Sequence, residues 1–396
     1  MAVVASATTL QDSTVRQIPV PGANATDSGK AGNNVLLFVG TYSRDEGWVN
    51  GQGKGVHVFQ FNTGDGSLKA VGAKAFGFNP TFVSGTNNAN RRVIYATNEV
   101  SDPSVLKPGT TTGWVYALSV DAAGTLTELN RVESGGGSPA HVSVSPDEKF
   151  VTVSNYNGGS LSIYPVNADG SLAPASDFRQ YTAGKRDAAH VHSMTWVGTG
   201  SKGVLAADLG NDRIAQFTVD QNSGKLVSNP QREFIDRPFG SGPRHMAIHP
   251  TQKYAYVVDQ LKNTIGVYPL TASTGALSTN ATQLISTLPA DYSGQSSSAE
   301  IQASEDGNFL YSSNRGHDSI AMFKIGANGQ LTSIGFEPTR GRTPRSFLIY
   351  KEFMLVANQD TNDIQVFRID KTTGKLVYAN QSASCGTPVS LFIPRY

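Results

Sequence analysis

The chain has 396 residues, and its 32 lysines and arginines stand against 31 aspartates and glutamates. This balance offers no basic field for nucleic acid or an anionic membrane surface. No apolar run approaches the ~20 residues of a membrane span, and a single cysteine, Cys385, excludes an internal disulfide and argues against a cysteine-based metal site.

Residues 1–33 carry Pro19, Pro21, Gly22 and Gly29 and lack a basic segment ahead of an apolar run, so a flexible tail or a targeting remnant is expected there. Asn24-Ala-Thr, Asn280-Ala-Thr and Asn380-Gln-Ser fit the glycosylation pattern, but such tripeptides recur by chance in a chain rich in Ser, Thr and Asn. A cytoplasmic location is favoured over secretion. The remainder, 34–396, reads as one domain.

That domain begins with strands at Val35–Thr41 and Gly55–Phe61, followed by a turn at Gly66–Leu68. The Gly-x-Leu element returns at Gly124–Leu126, Gly170–Leu172, Gly224–Leu226, Gly275–Leu277, Gly329–Leu331 and Gly374–Leu376. Seven copies spaced by 45 to 58 residues, each preceded by β-branched and aromatic runs such as YAYVVDQ and TIGVYPL, predict an all-β, seven-bladed propeller. A sandwich needs no such equal copies. Innermost strands are expected to start near Thr81, His141, His192, Arg244, Glu300 and Arg345, and second strands to end near Glu99, Asn155, Asp208, Gln260, Arg315 and Gln359. The first repeat is one strand short, and Val389–Pro394 follows the last turn. The C-terminal strand is therefore expected to close the N-terminal blade and so remove the open sheet edges.

In a propeller the starts of the innermost strands and the ends of the second strands meet at one mouth of the axial channel. Histidines, arginines and carboxylates at these positions suggest a site for a small anionic ligand. Arg244 and Arg315 have no evident carboxylate partner in sequence, and their forked guanidinium groups suit a carboxylate, a phosphate or a developing oxyanion. His190 and His192 form an i, i+2 pair, a spacing also seen in metal sites, and His141 takes the position of His192 one repeat earlier. Asn155, Asp208, Asp212 and Asp363 have a plainer reading as turn caps. No Gly-x-Ser-x-Gly elbow, His-Glu-x-x-His or phosphate-binding glycine loop occurs.

The motifs FVGTYSRDEG, GKGVHVFQFN, VSNYNGGSLSIYPV, HVHS, DLGNDRI, GSGPRH, SNRGHDSI and GRTPRSF resemble the lactonase family of seven-bladed propellers, over about Val35 to Tyr396. That family includes propeller-type 6-phosphogluconolactonases and 3-carboxy-cis,cis-muconate cyclases. The resemblance implies a site working without metal or cofactor, in which a histidine, two arginines and a glutamate act. The histidine of HVHS falls on His192 or His190, and the arginines of GPRH and SNRG on Arg244 and Arg315. The glutamate expected in the second strand of the GPRH blade is replaced: the chain reads Asp259-Gln260-Leu261 there, and Gln260 cannot exchange a proton.

The leading expectation is hydrolysis of a sugar-acid lactone by a monomer. His192 would be the base, Arg244 and Arg315 the anion and oxyanion clamp, and Glu300 the group orienting the histidine or an arginine. His190, His141, Gln260, Asp208, Arg345 and Glu99 would complete the substrate-binding ring. A muconate-type cycloisomerase and a non-catalytic binding propeller are the alternatives.

Overall fold

The runs of β-branched and aromatic residues form strands in the structure, a computed structural model that describes residues 33–100, 102, 112–182, 184, 188–198, 200 and 202–396. The N-terminal segment expected to be a flexible tail lies outside the described residues up to residue 32. Seven antiparallel sheets follow one another round a ring. Six of them take their strands in sequence order from the axis outward; in blade 2, for instance, these are Pro80–Gly85, Val93–Asn98, Trp114–Val120 and Leu126–Glu133. Blades 3 to 7 begin at Pro139, Val191, Pro243, Ser297 and Pro344.

Blade 1 is the exception that closes the ring. Its outer strands are Leu68–Lys74, Val56–Asn62 and Asn34–Thr41, and its innermost strand is the C-terminal Pro388–Phe392. Phe38, Val39 and Gly40 pair with Phe392, Leu391 and Ser390.

Each sheet packs face to face with its two neighbours, so the core is divided into clusters that lie between blades. Leu37, Val39, Phe59 and Phe61 of blade 1 meet Phe353, Leu355, Ile364 and Val366 of blade 7; Phe309 and Tyr311 of blade 6 meet Met354 and Val356 of blade 7. A second strand covered on both faces has no solvent side. Val93–Asn98, Phe150–Asn155, Gly203–Asp208 and Phe353–Asn358 are accordingly buried at every residue and read as continuous rather than alternating apolar runs.

The recurring Gly-x-Leu has a physical cause. All seven glycines have positive φ, between 68° and 90°, where a Cβ is strained, and most touch the preceding blade. A Cβ on Gly329 would lie 2.4 Å from the Tyr254 ring, and one on Gly374 would lie 2.2 Å from Phe309. The leucine two residues on enters the core, with Leu126, Leu172, Leu226 and Leu331 all buried.

Candidate functional site at the propeller mouth

Two local devices decide what faces the axis. The first is a β-bulge at the start of every innermost strand. Pairing with the second strand skips from Pro80 to Phe82, Pro139 to His141, Val191 to Ser193, Pro243 to His245 and Pro344 to Ser346. Ala299 and Glu300 share one partner position in blade 6, and Val389 is skipped in blade 1. A bulge re-aims the side chains around it. His192 and Arg345, both bulge residues, turn to the mouth. The next residues, Phe82, His141, Ser193, His245, Glu300 and Ser346, line a deeper cavity of about 260 Å³ in the axial channel.

The second device is the Asn or Asp that ends each second strand in blades 2 to 7: Asn98, Asn155, Asp208, Asp259, Asn314 and Asn358, all buried. Three of these side chains tie their blade to the end of the preceding blade's outer strand. Asn155 Nδ2 donates to the Ser134 carbonyl at 2.9 Å, and Asn314 and Asn358 make the equivalent bonds to Thr287 and Thr339. In four of the six blades the residue that follows lines the mouth: Glu99, Tyr156, Gln260 and Arg315. Tyr42 has the same place in blade 1.

The mouth is a cavity of about 480 Å³ whose lining includes His192, Arg315, Arg345, Gln260 and Glu99 together with Tyr42, Trp48 and Tyr156. Its positive charge is concentrated. Arg345 Nη2 donates to the Tyr42 hydroxyl at 3.1 Å, and Nη1 to Gln359 Oε1 at 3.4 Å. The same guanidinium lies 5.4 Å from both the Tyr42 and Trp48 ring centroids. Arg315 reaches only the carbonyls of Ser297 and Ser298, both at 3.3 Å. Arg244, 3% exposed, donates to the Ala299 carbonyl at 2.8 Å, while its Nε has no partner. Among the described residues none of the three arginines forms an ion pair, whereas the buried Arg237 of blade 4 is paired with Asp259. Burial and the neighbouring Arg345 push Arg244 down to about 9, and burial with Arg244 and Arg345 also lowers Arg315. Guanidinium groups keep their proton at neutral pH, so the lowering at Arg244 and Arg315 expresses burial first and then mutual repulsion, while at Arg345 burial is outweighed by Tyr42 and Glu99, which raise it.

His192 is 5% exposed and its Nδ1 has no hydrogen-bond partner. Burial, then Arg244, His245, Arg345 and Arg315, hold it well below its ordinary value, so at neutral pH it is an uncharged imidazole.

Several sequence-derived placements change. His141 is not the counterpart of His192. The bulge register aligns His192 with Arg244 and Arg345, and aligns His141 with His245 and Glu300 in the deeper channel. Glu300 does not orient His192 or Arg315: its Oε1 lies 3.3 Å from His245 Nδ1 and its Oε2 accepts from Ser346 Oγ at 3.2 Å. Asp208 is fully buried and spent on local bonds from His190 N, Asn211 and Arg213. His190 stacks on Tyr156 with centroids 4.4 Å apart, and its Nδ1 meets the Tyr156 carbonyl at 3.0 Å, so of the pair only His192 lines the cavity. Asp212 is a cap, accepting from Gly240 and Gly242 N at 2.7 Å.

Sequence reasoning missed Tyr42, Trp48, Tyr156 and His245. Aligning the second-strand ends TNE, SNY, ADL, VDQ, SNR and ANQ on their shared Asn or Asp would have put Tyr156 in the ring with Gln260 and Arg315. His245, whose ring centroid is 5.1 Å from that of His192, carries no signal without the bulge. Among the described residues no three His, Cys, Asp or Glu side chains gather as a metal site requires.

Residues 36–393 match the family model described as lactonase, 7-bladed beta-propeller. The chain is similar to a 6-phosphogluconolactonase of Formosa agariphila, 35% identical over 86% of this chain and 94% of that protein. It is also similar to a 6-phosphogluconolactonase of Bacillus subtilis, 31% identical over 89% and 96%. The fold is similar to that of the periplasmic gluconolactonase of Pseudomonas aeruginosa, with a TM-score of 0.81 at 28% identity, covering 91% of this chain and 99% of that one.

Proposed function

The chain belongs to the lactonase family of seven-bladed β-propellers, and from that premise we propose that it hydrolyses the ring ester of an anionic sugar-acid lactone. One observation carries the reading: an uncharged His192 with a partnerless Nδ1 faces the same mouth as arginines that have no carboxylate partner.

His192 takes a proton from water as its oxygen attacks the lactone carbonyl carbon. The C=O pair moves to oxygen, and Arg315, with Arg244 behind it, stabilises the oxyanion, a contribution of about 2.7–4 kcal/mol for a well-placed donor. The oxyanion collapses, the ring C–O bond breaks, and the histidine returns its proton to the leaving alkoxide. The products are a carboxylate, a hydroxyl and a released proton. Arg345, steadied by Tyr42 and Gln359, holds the substrate's remaining anionic group. The cycloisomerase alternative is disfavoured because Gln260 brings an amide to the mouth where a proton donor is needed.

A pH-stat assay with 6-phosphogluconolactone and glucono-δ-lactone tests this. Acid release above the spontaneous rate is expected, unaffected by chelator. It should fall by about a hundredfold or more in His192→Ala and in Arg315→Ala. Undiminished turnover in either variant overturns the assignment of that residue, and no turnover of either lactone by the unaltered protein overturns the activity.

A further inference from the structure

We propose that Trp48 is the stacking platform of this site, receiving the C–H face of a closed sugar-acid ring and so favouring the lactone over its ring-opened product. The proposal rests on the lactone-hydrolase reading above.

Trp48 lines the mouth yet is 60% exposed. A freely exposed indole is a poor use of a large apolar ring, and this one is held by a hairpin built for it. Glu46 N donates to the Val49 carbonyl and Gly51 N to the Arg44 carbonyl, both at 3.0 Å. Gly47, at φ 81°, supplies the turn and donates to Asp45 Oδ1 at 2.8 Å. Val49 is anchored in a small core with Tyr42 and Val389.

The backbone is thus fixed while 60% of the residue stays exposed. Tyr42 meets it edge-on, with centroids 5.1 Å apart at 84°, and Arg345 sits 5.4 Å from its centroid. An indole held in place loses little freedom when a ligand arrives. A six-membered sugar lactone offers it a matching surface, with ring C–H bonds on its face and hydroxyls around its edge. Its anionic oxygen can reach Arg345, whose guanidinium lies over one part of the indole. Ring opening converts that face into a flexible chain, so the product loses the contact and leaves more readily than substrate does.

The test uses the full-length protein with the lactone that gives turnover, its open-chain acid as product inhibitor, and glucono-δ-lactam as a hydrolysis-resistant ring. Trp48→Ala should raise KM by about tenfold with kcat retained and change the inhibition constant of the open-chain acid by less than about twofold, since uniform binding is what is lost. Trp48→Phe should restore most of the KM. Titration with the lactam should change tryptophan emission in the unaltered protein, and the change should vanish in Trp48→Phe although Trp114 and Trp196 remain. A KM in Trp48→Ala within twofold of the unaltered value, or an emission change that survives in Trp48→Phe, overturns the platform while leaving the hydrolase reading intact. No turnover together with no lactam binding in the unaltered protein sinks both.

Discussion

His141, His192 and His245 lie within one string of ring contacts at the axis, with centroids 5.1 and 5.4 Å apart. Burial first, and then neighbouring cationic groups, hold all three below 6.5. Below that pH the unfolded chain takes up protons that the folded chain refuses, so acidification removes stability. Each histidine contributes up to about 1.4 kcal/mol per pH unit. Glu300, raised above its ordinary 4.5 mainly by burial, works in the opposite direction, since the folded state protonates it first, but it is one group against three. The Tm should therefore fall between about pH 6.5 and about pH 5, and His141→Gln should flatten that slope in thermal melts without touching the mouth. A Tm independent of pH over this range would show that the buried histidines do not behave as their surroundings dictate. Much of this chemistry was legible as residue types: His192, Arg315, Arg345, Gln260 and Glu99 all line the mouth. What each residue touches was not legible, and Glu300 shows why. Its partner His245 comes from the neighbouring blade, 55 residues away in sequence.

The two recurring elements of the fold differ in how openly the chain declares them. The Gly-x-Leu turn is readable because a positive φ is a local demand that glycine meets most easily. Gly329→Ala should cost about 1–3 kcal/mol for the backbone alone, with a further penalty from the Tyr254 ring that its Cβ would strike. Gly72→Ala, in an outer strand with nothing within 4 Å of the added carbon, should stay within about 0.5 kcal/mol. Equal losses in urea denaturation would count against a special role for the turn. The bulge at the head of each innermost strand has no comparable signature. It depends on hydrogen bonds to the adjoining strand, and one extra residue exchanges mouth-facing for channel-facing positions. This is why His141 was aligned with His192; Asn155 and Asp208 were placed in the ring for another reason, that the second-strand ends were not aligned on their shared Asn or Asp.

At the scale of the whole molecule, stability comes from interfaces between blades, and blade 1 has an innermost strand like the other six only because Pro388–Phe392 supplies it. Deleting residues 388–396 removes Val389, Leu391 and Ile393 from the clusters that join blade 1 to its surroundings and bares the strand Asn34–Thr41. The truncated chain is expected to lose cooperative thermal unfolding and to elute as aggregate in size-exclusion chromatography. A monodisperse product with an unchanged Tm would mean that closure is dispensable. The sequence alone determined the number of blades, the strand order within them and the closing strand, because runs of β-branched and aromatic residues, glycine turns and a count of repeats are properties of the chain read locally. Only the tertiary structure decided which side chains share the mouth, that Trp48 stands over Arg345, and that His141, His245 and Glu300 form a separate layer beneath. Those contacts join blades far apart in sequence, and a single-residue bulge in each innermost strand decides which of its side chains reach the mouth and which the layer beneath.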